Sequence, residues 1–135
     1  MVIDTNVLLV SISRKSDLHW LYDNLLSQSY TLCVTTEILL EYAEIIERFM
    51  GAEASERFFI ILDNLPNIER ITSYYKFRLL NDEDDDKFVD CCIAANAEYI
   101  VSHDKDFNVL RNIDFPKVIV IDTKKFKKII SKQKN

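Results

Sequence analysis

Glycine and proline almost never interrupt this chain: Gly51 is the only glycine in 135 residues, and Pro66 and Pro116 are the only prolines. Tight hairpins and turns depend on these residues. A chain this poor in them is helix-rich and must join its strands by other means. The hydrophobic pattern agrees, because short apolar runs alternate with longer stretches of helical periodicity. Strands separated by helices argue for βαβ units, a parallel sheet and helices over both of its faces.

The expected elements follow from periodicity and capping chemistry. Val2 to Asp4 reads as a strand running into a helix start, and Asp17 as the cap of a helix through about Ser27 carrying Leu18, Leu21, Tyr22 and Leu25 inward. Thr31 to Val34 is a second strand. Thr35 or Thr36 caps a helix to about Met50, with Ile38, Leu39, Tyr42, Ile45, Ile46 and Phe49 at helical spacing. Gly51 ends that helix. Another helix runs from Ala52 to about Asn64, with Phe58, Ile61, Leu62 and Leu65 as its stripe, until Pro66 stops it. Ile68 to Ile71 is a third strand, and 73–80 is an irregular or short helical connection. The acidic run Asp82-Glu83-Asp84-Asp85-Asp86 opens a helix through about Asn96, where acidic groups suit the exposed N–H ends. Glu98 to Ser102 and Lys117 to Ile121 are further strands, and Lys124 to Lys132 is a terminal helix. Residues 1–135 fit one domain.

Composition narrows the function. Hydrophobic residues make up 48%, which excludes a disordered chain. No apolar run approaches the ~20 residues a bilayer requires, and the N-terminus reads as no signal peptide, so no membrane role is expected. Cys33, Cys91 and Cys92 are an odd number with two adjacent, a poor disulfide framework. They read as small core hydrophobes in a reducing, cytoplasmic setting. The net charge of -5 gives no general attraction to nucleic acid, so such a partner needs local cations or bound metal.

Four carboxylates stand where this topology brings side chains to one sheet edge. In parallel α/β sheets, functional groups collect beyond the carboxyl ends of strands, where strand order reverses. Asp4 ends the first strand and Asp104 follows the fourth. Glu41 sits early in the helix after the second strand. It competes with Glu37, Glu44 and Glu47 but lies closest to the apolar stripe, between Ile38 and Ile45. One aspartate of the acidic run completes the set. Gathered carboxylates repel unless a divalent metal holds them. Beside them, Asn6 can steady Asp4, and Thr5 can turn its hydroxyl to the same place.

Other chemistries lack their residues. A calcium loop from Asp82 has Lys87 where glycine is needed and Ile93 where glutamate is needed. His19 and His103 form no zinc pattern with the cysteines. One glycine cannot build a phosphate loop or a serine elbow.

The segments VIDTNVLLVSI, TTEILLEY and DDDKFVDCCIAANAEYIVSHDKDF, in this order, resemble the PIN-domain family of metal-dependent ribonucleases. Within it the chain looks most like the VapC-like toxins of bacterial toxin–antitoxin pairs. The resemblance implies a three-layer α/β/α sandwich with a central, mostly parallel sheet of about five strands. It also implies an acidic cluster holding one or two Mg²⁺ or Mn²⁺ ions. The family's acidic positions fall on Asp4, Glu41 and Asp104. Related sequences read aspartate, asparagine, lysine, phenylalanine at the helix start, which puts the fourth on Asp85 and Asp86 in the asparagine place. The extra aspartates here leave that register open by one residue. Ser102 matches a small hydroxyl position, Asn6 matches an asparagine, Asp106 supports the cluster, and His103 stands where glycine is common.

The implied reaction is hydrolysis of RNA phosphodiesters. Arg14, Lys15 and Lys105 are candidate phosphate contacts, with Arg48 and Arg111 as further cations. The tail lysines Lys124, Lys125, Lys127, Lys128, Lys132 and Lys134 are another candidate set for phosphate, with a solvated helix face as the favoured reading. An antitoxin protein and a second copy of the chain are the implied partners. Two other readings use the same residues. A haloacid-dehalogenase-type phosphatase also places an aspartate after its first strand. It requires a second aspartate where Asn6 stands, and an acidic pair after the serine strand rather than before it. A non-catalytic RNA- or protein-binding module would keep the fold without turnover.

Overall fold

The structure, a computed structural model, describes residues 1–133; Lys134 lies outside them. Along the chain run β1 (Val2–Ile3), α1 (Thr5–Ile12), α2 (His19–Leu26), β2 (Leu32–Val34), α3 (Thr36–Met50), α4 (Ala52–Asn64), β3 (Ile68–Arg70), α5 (Glu83–Ala95), β4 (Ile100–Val101), a 3-10 helix (Lys105–Asn112), β5 (Val120–Ile121) and α6 (Thr123–Gln133). All strand pairings are parallel. Val2 pairs with Ile100 and Ile100 with Val120 in one ladder, and Leu32 pairs with Ile68 in the other.

Instead of one continuous five-stranded ladder, the sheet has three strands in the order β1-β4-β5 and two in β2-β3. The Met1 ammonium donates to the Thr31 carbonyl and the Cys33 N–H to the Met1 carbonyl, each at 2.8 Å, which joins the two ladders at one end. The chain turns into α1 at Thr5, too soon for β1 to extend this pairing. The resulting spatial order is β3-β2-β1-β4-β5.

Consecutive strand residues point to opposite faces. In β1, β2 and β4 every residue is buried, so both faces of the sheet are covered. This is the mixed α/β architecture that the alternating sequence pattern implies. Cys33, Cys91 and Cys92 are buried free thiols within the core.

Local chemistry sets the element bounds. Thr35 caps α3 by accepting the Ile38 N–H at 3.3 Å. Gly51, at φ +95, ends α3 and lets α4 begin at once. Of the predicted α3 stripe, Ile38, Tyr42 and Ile46 are buried, whereas Phe49 points to solvent. Asp17 caps nothing: the Ser16 hydroxyl accepts the Leu18 N–H at 3.0 Å, and α2 starts only at His19. Asp82 caps α5 by accepting the Asp84 N–H at 2.9 Å. No helix among the described residues is long and apolar enough to cross a membrane.

Candidate functional site

Strand order reverses beside β1. The chain builds β2 and β3 to one side, then returns through α5 to place β4 on the other. The carboxyl ends of β1 and β4 therefore flank a switch point. Asp4 leaves β1 there and is buried, and Asp104 caps the 3-10 helix that follows β4. Ser102 couples them: its hydroxyl donates to Oδ2 of Asp4 at 2.8 Å and accepts the Asp104 N–H at 2.9 Å. Oδ1 of Asp104 accepts the Asp106 N–H at 2.9 Å, so Asp106 contributes to the turn through its backbone.

Glu41 reaches the same place from α3. The Thr5 hydroxyl donates to its Oε2, and Lys87 Nζ lies 2.8 Å from its Oε1. Its rivals on the helix face outward; Glu44, for example, pairs with Arg48 on the surface at 3.0 Å. The adjacent Tyr42 is fully buried and donates its hydroxyl to the Ile3 carbonyl, tying α3 to the residue before Asp4.

The acidic run divides by direction. Asp86 is buried and accepts the Leu80 N–H at 3.0 Å, which anchors the preceding loop. Asp85 is half-buried and senses the other acids. Its carboxyl is pushed up to about 7, first by burial and then by the charges of Asp104, Asp82, Asp4 and Asp106. Burial also raises Asp4; the Ser102 bond offsets part of this, and Asp104 and Glu41 raise it further. Asp4 thus lies in the fields of Asp104 and Glu41, and Asp85 in those of Asp104 and Asp4. Of the two registers that the sequence leaves open, Asp85 feels the charges of the other acids, whereas the Asp86 carboxylate is taken up by the Leu80 N–H.

Two participants escape the sequence reading. Asp82 joins Asp85 and Asp106 in a group whose carboxylate oxygens lie within 4.8 Å of one another. Its signal was its place at the N-cap of an acidic helix. Lys87 was legible only as part of the lysine–phenylalanine pair that marks the helix start, two residues beyond Asp85.

Not every candidate arrives at the cluster. Arg14 and Lys15 are exposed in the turn after α1, which is about 12 Å long. Lys105 is exposed and lines a shallow groove with Asp82 and Asp106. Asn6 is exposed in a second groove that includes Asp4, Val10, His103 and Asp104. His103 Nε2 lies 3.0 Å from the Thr123 hydroxyl.

The donor set is made of carboxylate oxygens, which favours hard divalent cations such as Mg²⁺ and Mn²⁺ over zinc or copper. The raised Asp4 and Asp85 carboxyls fit such a site. Their rise comes first from burial and then from the neighbouring acids.

A family model described as PIN domain matches residues 1–106, a span that contains all four carboxylates. Among solved structures, this chain is similar to a chain in the crystal structure of VapBC2 from Rickettsia felis bound to a DNA fragment from their promoter. The TM-score is 0.62 at 17% identity, over 90% of this chain and 96% of that chain. A likeness at this identity carries the fold alone. No curated protein matches the sequence.

Proposed function

Because this chain belongs to the PIN-domain family, we propose that it is a metal-dependent endoribonuclease and the toxin of a toxin–antitoxin pair. One observation carries the reading: Asp4 and Asp104 meet at a sheet switch point through Ser102, and burial together with the neighbouring acids raises the proton affinity of Asp4 and Asp85. An arrangement that opposes its own ionisation is costly to a fold. Binding of a divalent cation offsets that cost.

Asp4, Asp85 and Asp104 would hold one or two Mg²⁺ or Mn²⁺ ions, with Glu41 completing the set. Such an ion supplies Lewis-acid stabilisation of charge on the phosphate and makes water at the site easier to deprotonate. The chain's own residues position the oxygens. Ser102 fixes one oxygen of Asp4 and the backbone of Asp104, while Thr5 and Lys87 fix Glu41. No side-chain nucleophile is needed, because the Ser102 and Thr5 hydroxyls are engaged in donating to Asp4 and Glu41.

The substrate is RNA, single-stranded or looped. Lys105, beside Asp104 and on the rim of the groove with Asp82 and Asp106, is the basic residue best placed to meet a phosphate. Binding through such contacts weakens with added salt. The sequence resemblance to VapC-like toxins and the fold shared with the VapBC2 chain support a small antitoxin as partner.

The test is cleavage of single-stranded RNA by pure protein with Mg²⁺ or Mn²⁺, repeated with a chelator and with Asp4→Asn and Asp104→Asn. Cleavage that needs metal and falls at least ~100-fold in both variants is expected. Undiminished cleavage by either variant overturns the metal site. Metal-independent RNA binding without cleavage would identify a binding module instead.

A further inference from the structure

Glu41 differs from the other members of the cluster in its partners. Asp4 accepts a hydroxyl from Ser102, and Asp104 accepts a backbone N–H from Asp106. Both donors are neutral. Among the described residues, Asp4, Asp85 and Asp104 take part in no ion pair, whereas Glu41 does. Its two oxygens are divided, Oε2 to Thr5 and Oε1 to the Lys87 ammonium at 2.8 Å. The pair is only partly open to water, with Lys87 14% and Glu41 26% exposed, so solvent screens it incompletely.

A cation bound directly to Oε1 would have to sit beside an ammonium group already touching that oxygen. Like charges at such separations repel strongly in a partly buried site. The neighbouring aspartates present no such obstacle.

We propose that Lys87 is the positioning residue of Glu41: it holds the carboxylate so that Glu41 meets a bound cation through hydrogen-bonded water, while the aspartates bind the cation directly. The idea rests on the reading of this cluster as a divalent-cation site. It makes Lys87 a device that limits how tightly the site holds metal. The ordinary alternative is a structural tie between α3, which carries Glu41, and α5, which carries Lys87.

The test is calorimetric titration of metal-stripped protein with Mn²⁺ in the absence of RNA. Freeing Oε1 in Lys87→Met should tighten Mn²⁺ binding on the order of tenfold, while Lys87→Arg, which keeps the charge, should stay within about twofold of wild type. In a Glu41→Gln background the gain from Lys87→Met should vanish, because the lysine acts through that carboxylate. If Lys87→Met fails to fold, Lys87→Gln carries the same comparison. Unchanged Mn²⁺ affinity with a lowered Tm would overturn the proposal in favour of the structural tie and leave the cation site intact. No Mn²⁺ binding by the wild-type protein would overturn the cation site itself, and the proposal with it.

Discussion

The Ser102 hydroxyl donates to the Asp4 carboxylate at 2.8 Å, joining residues 98 positions apart in the sequence. The same oxygen accepts the Asp104 N–H, so one small side chain orients both strand-end acids. Ser102→Ala leaves Asp4 without that donor and the Asp104 N–H without its acceptor. The variant should lose about 1–3 kcal/mol of stability in denaturant titration. RNA cleavage should fall roughly 10- to 100-fold, because two of the carboxylates lose their orientation together.

Neighbouring aspartates on α5 should behave oppositely. Asp85→Asn removes a carboxylate that the other acids disfavour, so the metal-free protein gains stability at neutral pH while cleavage is lost. Asp86→Ala strips the acceptor from the buried Leu80 N–H. It should cost about 1–3 kcal/mol and leave more activity than Asp85→Asn does. Thermal melts and cleavage assays on both variants separate the two roles.

Stability should depend on pH in a direction set by the raised acids. The folded-state values of Asp4 and Asp85 lie above their ordinary ones. Their contribution is therefore fully present below the unfolded value, near 4, and is lost as pH rises through about 7 for Asp85. Asp85 is half-exposed, and solvent screening holds its effect to about 1 kcal/mol. Metal-stripped protein should show a Tm that falls by a few degrees between pH 5 and 8, and Asp85→Asn should flatten the slope. Saturating Mn²⁺ should reverse the trend, because the cation favours the ionised folded state.

Tyr42→Phe probes the strut behind the site. The Tyr42 hydroxyl is fully buried and donates to the Ile3 carbonyl. Its removal should cost about 1–3 kcal/mol, since the carbonyl loses its buried donor. Cleavage should fall more than a surface substitution of equal cost would cause, because Ile3 precedes Asp4. Activity measured well below the Tm distinguishes this from simple unfolding.

Much of the architecture was legible because it rests on local patterns. Alternating apolar runs marked β1, β2 and β4, and Thr35 and Gly51 marked the ends of α3. Strand-end placement brought Asp4 and Asp104 together, and periodicity chose Glu41 from its face of glutamates. What the pattern missed depends on tertiary contacts. Asp17 looked like a cap until the Ser16 hydroxyl took the Leu18 N–H. Phe49 had helical spacing but lies past the end of the surface that buries Ile46. That Asp86 is occupied by the Leu80 N–H was not legible either, because no spacing rule supplies the position of that donor. The ion pair of Lys87 joins two helices that approach only in the folded chain.

The reach of the Ser102–Asp4 bond also bears on how the protein is made. Asp4 is synthesised 98 residues ahead of its partner Ser102, and Asp104 follows two residues later. No fragment released before that point contains a complete carboxylate centre. A site built this way has a delay during translation: its carboxylates meet only when β4 docks beside β1. Whatever recognises the assembled centre can therefore meet it only once β4 has docked.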